Sequence, residues 1–472
     1  MPEPRTVAII GAGFSGVMTA AHLLQAKTAS PIRVVMLNRS GASARGVAYG
    51  TKSPNHLLNV PAARMSAYPD RPGHFLEFAK SRDATVEPGT FVRRSLYGEY
   101  LEALLLEAAE GSNFLDRLVA EVKTIRTDAS GATLETVDGR SIRCDQVVLA
   151  VGHYAPAHPA GIPAEVLDSD RYIRDPWARG ALDRLPTDRP AILIGTGLTM
   201  LDVALDLKTR GFAGAIAISR RGLLPRPHDP SIPHAEVTHR PPGVEYLHST
   251  RAFLTALRKQ VNAVEAAGGN WRQVIDSLRP ITPQLWRQLS VREQQRFLQV
   301  VRPYWDAHRH RAAPQVSAAI EASIAEGWLA IRPGRIADCN LTDTGVTLAF
   351  QPRGTHSAAS LAGGSIINCT GPSSSATEAG DPLVAELFAR KLARPDPLGI
   401  GLEVTLDGAV IGADGNVSKV MSYVGPLLRA RDGEGTAVPE LRVHAAQLAR
   451  RLIGWVESEG GAKPEEHWYA EL

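Results

Sequence analysis

The sequence predicts an α/β protein made of two Rossmann-like dinucleotide-binding units, the second inserted into the first and followed by a helical insert. Two glycine-rich turns carry this reading: Gly11-Ala12-Gly13-Phe14-Ser15-Gly16 and Gly195-Thr196-Gly197-Leu198-Thr199-Met200. Each follows a short apolar run, Thr6–Ile10 and Pro190–Ile194, suited to a strand buried on both faces. A third observation is a pair of later strands, Gln146–His153 and Ile366–Pro372, each running into a small residue and a glycine. One glycine turn is a weak signal. Two in a strand–turn–helix context imply two dinucleotides, and two redox dinucleotides on one chain most simply exchange a hydride.

In the first turn, Gly11 permits the tight bend and Gly13 lets the backbone approach a pyrophosphate. Gly16 lets the helix beginning near Phe14 and Ser15 pack closely on the strand. That helix presents its free N–H groups and positive dipole end to the phosphates. The next strand, Ile32–Leu37, ends in Asn38-Arg39, where an acidic ribose partner is the usual residue. An amide still bonds a ribose hydroxyl, but without charge assistance. A neutral residue followed by arginine also suits a 2′-phosphate, so these residues alone leave FAD and NADP open at this turn.

In the second turn, Gly195 and Gly197 repeat the first two roles, and Leu198 and Thr199 open the helix. Met200 replaces the third glycine, so the helix is expected to stand off slightly or to turn this side chain aside. The following strand, Ala215–Ile218, ends in Ser219-Arg220-Arg221. A guanidinium fork matches phosphate geometry, which assigns NADP(H) rather than NAD(H) to this unit. The alternative is that Arg220 and Arg221 are solvated surface charges.

Length and composition bound the function. At 472 residues, 44% hydrophobic and 21% charged, the chain has room for two or three domains with sizeable cores. A formal net charge of +3 does not suggest a nucleic-acid partner. No apolar stretch approaches the roughly 20 residues of a membrane span. The N-terminus is expected to enter a strand directly, so no signal peptide is expected. Cys144, Cys339 and Cys369 are far apart in sequence. A disulfide framework is therefore not expected, the expected compartment is the cytoplasm, and the missing Cys-x-x-Cys argues against a dithiol relay.

The two strand–glycine segments, with Ala150 and Gly152 in one and Gly371 in the other, look like the crossing points of an inserted domain. The expected organisation is residues 1–155 and 335–472 as one domain, 186–248 as the second, and 249–334 as a helical lid with a return strand. Within the lid, Asp306–Arg311 is dense in arginine and histidine. Arg309 and Arg311 read either as an anion clamp or as a solvated, salt-bridged helix end. His308 and His310 lack a nearby third ligand, so no metal is expected.

Several longer strings are more specific: Gly46–Thr51, His56–Ala62 with Met65-Ser66, Gly195–Met200 with Asp202, Asn368–Pro372, Gly425-Pro426 and Ala437–Arg442. Through them, nearly the whole chain resembles the two-dinucleotide-binding flavoproteins, and among these a bacterial family described as FAD/NAD(P)-binding proteins. Pro69–Leu76 followed by Tyr97–Leu101 more distantly resembles class B flavin monooxygenases, both N-hydroxylating and Baeyer–Villiger types.

The resemblance implies an FAD-binding Rossmann-like domain with an inserted second Rossmann-like NAD(P)-binding domain and a helical insert. It implies FAD at the first turn, adenosine ribose near Asn38, and the loop around Tyr49 covering the cofactor. His56, Asn59 and Met65 would lie close to the isoalloxazine, unless they serve only to tie down their own loop. The helix starting at Ala437-Val438-Pro439, with Pro439 at its first position, would aim at the flavin N1–C2 carbonyl. Ahead of it, Gly425-Pro426 stands where related proteins often carry Gly-Asp. The implied activity is an NADPH-dependent flavin monooxygenase acting with O2 on a small organic substrate through a C4a-(hydro)peroxyflavin. The alternatives are a flavin reductase or dehydrogenase without oxygen insertion, and a non-catalytic redox-sensing flavoprotein. The Phe-x-Gly-x-x-x-His-x-x-x-Trp stretch of Baeyer–Villiger enzymes is replaced by Tyr172–Trp177. No general-base constellation stands out, so no catalytic residue is assigned.

Overall fold

A computed structural model describes residues 3–41, 44–111, 113–232, 239–373, 375 and 381–459. Strand β1 (Arg5–Ile10) leads through the first glycine turn into α1 (Phe14–Leu24) and then β2 (Ile32–Leu37). Helices α2 (Gly46–Tyr49), α3 (His74–Arg82) and α4 (Arg94–Ala109) precede β3 (Leu115–Leu118). Strands β4 (Val122–Asp128), β5 (Gly131–Thr136) and β6 (Ser141–Cys144) form an antiparallel meander. Strand β7 (Gln146–Leu149) then lies parallel beside β1.

Next come α5 (Ala164–Leu167), β8 (Tyr172–Ile173), β9 (Ala191–Ile194), the second glycine turn, α6 (Leu198–Thr209) and β10 (Ala215–Ser219). A helical segment follows: α7 (Thr250–Ala266), α8 (Trp271–Leu278), α9 (Thr282–Gln288), α10 (Val291–Arg296), α11 (Arg302–Arg309) and α12 (Pro314–Ala325). Then come β11 (Leu329–Thr342), β12 (Gly345–Pro352), β13 (Ala359–Gly363) and β14 (Ser365–Asn368). The chain ends with α13 (Pro382–Ala389), β15 (Ala409–Ile411), β16 (Val417–Tyr423), α14 (Arg429–Asp432) and α15 (Val438–Glu459).

These elements form two compact units. The first takes the described residues of Met1–Gly50, Pro61–His153 and Ser375–Leu472, and the second those of Thr51–Val60 and Tyr154–Ser374. The first unit holds a sheet in the order β15–β16–β7–β1–β2–β3, and the second a sheet in the order β13–β12–β11–β10–β9–β14–β8. Val7, Ala8 and Ile9 of β1 are fully buried, as are Ala191, Ile192 and Leu193 of β9. Helices covering both faces of a parallel sheet produce such continuous apolar strands. In the first unit α1 packs against α4 and α15, which buries Val17, Met18, Ala20 and Ala21.

Both units repeat one plan: strand, glycine turn, helix, strand, an antiparallel meander, and a return strand beside the first. In the second unit β14 pairs with β9, as β7 pairs with β1 in the first. This corrects the expected boundaries. Residues 335–372 do not rejoin the first sheet, because β11 continues from β10 into the second unit's own meander. The two strand–glycine segments look alike because they do the same job in different sheets, not because they mark the two ends of one insertion. Among the described residues no helix is long and apolar enough to cross a membrane.

Candidate dinucleotide sites

Gly11 has φ +114°, and a Cβ there would collide with the Ala150 carbonyl. A Cβ on Gly16 would collide with the Gly11 carbonyl and press on Ala150. These two glycines therefore let β1, α1 and β7 meet. Gly13 differs: a Cβ there would find only the Gly46 Cα, at 3.9 Å. Its side faces open space. Gly13 caps α1 with φ −82° and ψ −171°, and no side chain among the described residues takes the first-turn N–H groups. Serine, threonine or aspartate would ordinarily satisfy these donors; here they remain for an anion, next to Phe14 and Ser15.

The second turn repeats this geometry. Gly195 has φ +113° and would place a Cβ 2.5 Å from the Cys369 carbonyl oxygen. Gly197 caps α6 with φ −84° and ψ −168°, again without a side-chain cap. No heavy atom of the described residues lies within 4 Å of a Cβ built on Gly197. Met200 is fully buried in the helix, and its N–H bonds the Gly197 carbonyl at 3.0 Å, tightening the first turn around Leu198 and Thr199. Gly152 (φ +76°) and Gly371 (φ +80°) follow the two return strands in the same left-handed conformation.

Beyond β2, Asn38 lines a cavity with Ala12, Met36, Leu105, Arg117 and Val119. Apart from Asn38 and Arg117, the side chains of that lining are apolar. Arg117 went unrecognised in the sequence because nothing in a lone strand arginine separates it from a surface charge. Arg39 lies 3.8 Å from Glu121 and 3.9 Å from Asp381, so carboxylates already surround its charge.

Tyr49 ends α2, and its ring packs 4.6 Å from that of Tyr97. Burial pushes its phenol pKa well up. A Cβ on Gly98 would lie 2.6 Å from the Tyr49 carbonyl oxygen, and Arg45 grips Glu102 through bonds of 2.7 and 2.8 Å. Those contacts fasten α2 to α4. Met65 is buried just past a single helical turn at Ala62–Arg64. Gly425 has φ +145°; a Cβ there would meet the Tyr423 hydroxyl at 2.7 Å and Ser15 Oγ at 3.9 Å. Buried Val438 is the first residue of α15, so Pro439 is its second residue rather than its first. Proline suits either place, since neither N–H has a helical partner.

His56 and Asn59, expected beside the isoalloxazine, belong to the second unit. His56 is buried, its Nε2 3.3 Å from Asp206 Oδ2 and its Nδ1 2.6 Å from Thr51 Oγ1. The Ser53 hydroxyl also hydrogen-bonds Asp206, and the Trp177 ring stands edge-on to His56 at 5.2 Å. Burial alone would raise the Asp206 pKa, but hydrogen bonds from His56, Ser53 and Asn55 and the His56 charge bring it below the usual value. The Asn59 carbonyl lies 2.9 Å from His228 Nε2.

The turn carrying Arg220 and Arg221 is held from beneath. Thr196 Oγ1 lies 2.8 Å from Ser219 Oγ and donates to the Leu223 carbonyl at 2.7 Å, while Gly222 N–H donates to Ser219 Oγ at 2.9 Å. Arg220 is exposed, and the Arg221 guanidinium lies 5.3 Å from the Tyr304 ring centre. Of the two readings of Arg311, an anion clamp or a solvated, salt-bridged helix end, the salt bridge is present, but the side chain is buried against Asp276 rather than solvated. His308 stands edge-on to Trp271 at 5.0 Å. Among the described residues no group of three or more metal-ligating side chains converges.

Comparison with known proteins gives these features a family setting. Residues 8–154 match a family described as FAD-NAD(P)-binding. A flavin-containing monooxygenase, ustF1 of Aspergillus flavus, is 25% identical over 224 residues, 43% of this chain and 51% of that protein. The match thus spans about half the length of that relative. L-lysine 6-monooxygenase from Pseudomonas syringae superposes with a TM-score of 0.61 at 15% identity, over 96% of this chain and 99% of that one. The bacillithiol disulfide reductase Bdr of Staphylococcus aureus superposes with a TM-score of 0.56 at 12% identity, over 96% and 99%. The chain has the fold of the two-dinucleotide-binding flavoproteins, a fold shared by oxygenases and reductases.

Proposed function

We propose that this chain is an FAD-dependent NADPH oxidoreductase that inserts one oxygen atom of O2 into a small organic substrate. The observation that carries the reading is the pair of open, uncapped glycine cradles at Gly13 and Gly197, whose φ and ψ agree within a few degrees. Their surroundings order the two nucleotides. Arg39, beyond the first cradle, is surrounded by carboxylates, whereas Arg221, beyond the second, faces a phenol. A 2′-phosphate therefore fits the second site, and FAD fits the first.

In this reading Gly11, Gly13, Phe14, Ser15 and Gly16 hold the FAD pyrophosphate, Asn38 the adenosine ribose, and Tyr49 and Met65 the surface over the cofactor. Gly195, Gly197, Leu198 and Thr199 hold the NADPH pyrophosphate, and Arg220 and Arg221 its 2′-phosphate. Ala150, Gly152 and Gly371 keep side chains clear of the return-strand ends, and Gly425 keeps one clear beside Ser15. FAD held by these residues would supply hydride acceptance and O2 activation. In this reading the N-terminus of α15 at Val438-Pro439 would stabilise negative charge on a reduced ring through its helix dipole. His56 and Asn59 anchor the 51–60 segment to the second unit. The oxygenase reading is favoured over a dithiol reductase because Cys144, Cys339 and Cys369 are all buried thiols.

The test is to reconstitute the purified protein with FAD, add NADPH in air, and offer small primary amines, beginning with lysine, the substrate in the name of the Pseudomonas fold neighbour. The expected result is NADPH-dependent O2 uptake coupled to a product one oxygen atom heavier. A protein that oxidises NADPH equally well without O2, passing electrons to a dye or disulfide, would refute oxygen insertion. A protein that never retains FAD would refute the whole reading.

A further inference from the structure

Arg353 follows β12, and its N–H donates to the Pro333 carbonyl at 2.9 Å. Pro333 is the register partner of Ser219, the last residue of β10. Arg353 therefore reaches the same end of the second sheet as Arg220 and Arg221. It is the carboxyl end of the parallel strands β9 and β10, where open α/β sheets bind their ligands. A Cβ on Gly222 would lie 3.1 Å from Pro333, so the arginine turn packs on β11 at the residue whose carbonyl accepts the Arg353 N–H.

Between the arginines stands Tyr304 from α11, 42% exposed, with its ring 5.3 Å from the Arg221 guanidinium. Hydrogen bonds from the Arg221 and Arg353 side chains, and their charges, hold the Tyr304 phenol below its ordinary pKa. Among the described residues neither Arg221 nor Arg353 has a carboxylate partner; the salt bridges formed elsewhere leave both out. Two like charges that share a single neutral oxygen repel each other in that state. A dianion with several acceptor oxygens satisfies both forks at once.

We infer that Arg221 and Arg353 form a two-pronged site for a phosphate monoester, the 2′-phosphate of NADPH, and that the Tyr304 hydroxyl occupies a phosphate oxygen's place until the nucleotide displaces it. This rests on the reading that the second unit binds NADPH. It adds a selectivity residue 132 positions beyond Arg221 of the glycine–arginine motif. It also gives the helical segment a role, since release of Tyr304 frees α11 from the phosphate site when the correct nucleotide arrives.

The test uses the full-length FAD-loaded protein, with binding of 2′,5′-ADP, 5′-AMP, NADPH and NADH followed anaerobically by calorimetry. Arg353→Ala is expected to weaken 2′,5′-ADP and NADPH by roughly tenfold to a hundredfold, the scale of a lost charged hydrogen bond, and to leave 5′-AMP and NADH unchanged. Tyr304→Phe is expected to tighten the two phosphate-bearing ligands, because it removes their competitor. Arg353→Lys, which keeps the charge without the fork, should fall between. Arg353 is exposed, and an unchanged melting temperature and flavin content identify Arg353→Ala as folded. If wild-type protein prefers NADPH but Arg353→Ala keeps that preference, or if Tyr304→Phe weakens NADPH, the fork is wrong while the NADPH reading stands. If wild-type protein binds NADPH and NADH equally, both fail.

Discussion

His56 and Asp206 meet inside the second unit, Nε2 to Oδ2 at 3.3 Å, and fasten a ten-residue excursion of the chain to the helix that starts at the second glycine turn. Ser53, Asn55 and Thr51 join the same network. Three polar side chains of this short segment, Ser53, Asn55 and His56, thereby converge on one carboxylate.

Asp206→Asn is expected to loosen residues 51–60 selectively. The Asp206 pKa is lowered in the folded protein, with burial opposing and the His56, Ser53 and Asn55 bonds prevailing. Its contribution to stability is therefore present above the usual carboxylate range and is lost as pH falls through the lowered value. Hydrogen exchange at pH 7 should show faster exchange over 51–60 in the variant than in wild type, and equal exchange over α1. Unchanged protection of that segment would remove its dependence on Asp206.

The glycines of the two turns are not equivalent, and substitution should separate them. Gly11→Ala introduces strain at φ +114° and a clash with the Ala150 backbone, costing on the order of 1–3 kcal/mol or more. Gly197→Ala meets neither obstacle, since φ is −84° and the space is open. Melting temperatures should fall sharply for the first and little for the second. The Gly197 variant should retain FAD but bind NADPH weakly, because its methyl group enters the proposed phosphate cradle. Full NADPH affinity in a folded Gly197→Ala protein would place the pyrophosphate elsewhere.

These turns explain how much the sequence disclosed. Gly11, Gly16 and Gly195 are legible because a steric demand of the backbone leaves no other residue at those places. The two-unit plan was legible for the same reason, and Met200, standing in place of the third glycine, is buried with its N–H on the Gly197 carbonyl. The boundary at 335 was not legible, because β14 and β7 satisfy identical local requirements and only pairing tells them apart. Nor could His56 be assigned to the second unit, since its partner Asp206 lies 150 residues further along the chain, on α6. Arg117 and Arg353 were hidden because a solitary arginine near a strand end has no local signature.

The thiols offer a third separation. Burial raises the Cys144 pKa to about 12 and the Cys339 pKa to about 11, and raises that of Cys369 further. At pH 8 the native protein is expected to react negligibly with a disulfide reagent and to react fully once denatured. A Cys144→Ala, Cys339→Ala, Cys369→Ala variant that remains folded should oxidise NADPH at close to the wild-type rate. Loss of that activity with FAD still bound would revive a thiol-based reductase.

The acid limb of stability should be governed in part by Asp432, at the end of α14. Its carboxylate is buried, held by Arg431 through bonds of 2.6 and 3.0 Å and approached by His444 Nε2 at 3.3 Å. Burial by itself would raise its pKa; the His444 and Arg431 hydrogen bonds and charges bring it down to about 2. A depressed carboxylate stabilises the folded state above its unfolded pKa, and that stabilisation disappears as pH falls toward 2. The shift corresponds to about 2 kcal/mol at neutral pH. Asp432→Asn should lose at least that much at pH 7, because Arg431 and His444 are left facing a neutral amide. His444 lies in α15, so the N-terminal turn at Val438-Pro439 should move with it, and FAD should dissociate faster from the variant. Urea unfolding at pH 7, 4 and 2.5 decides the matter. The difference between wild type and variant must shrink as the pH falls, and a constant difference would show that Asp432 acts through packing rather than charge.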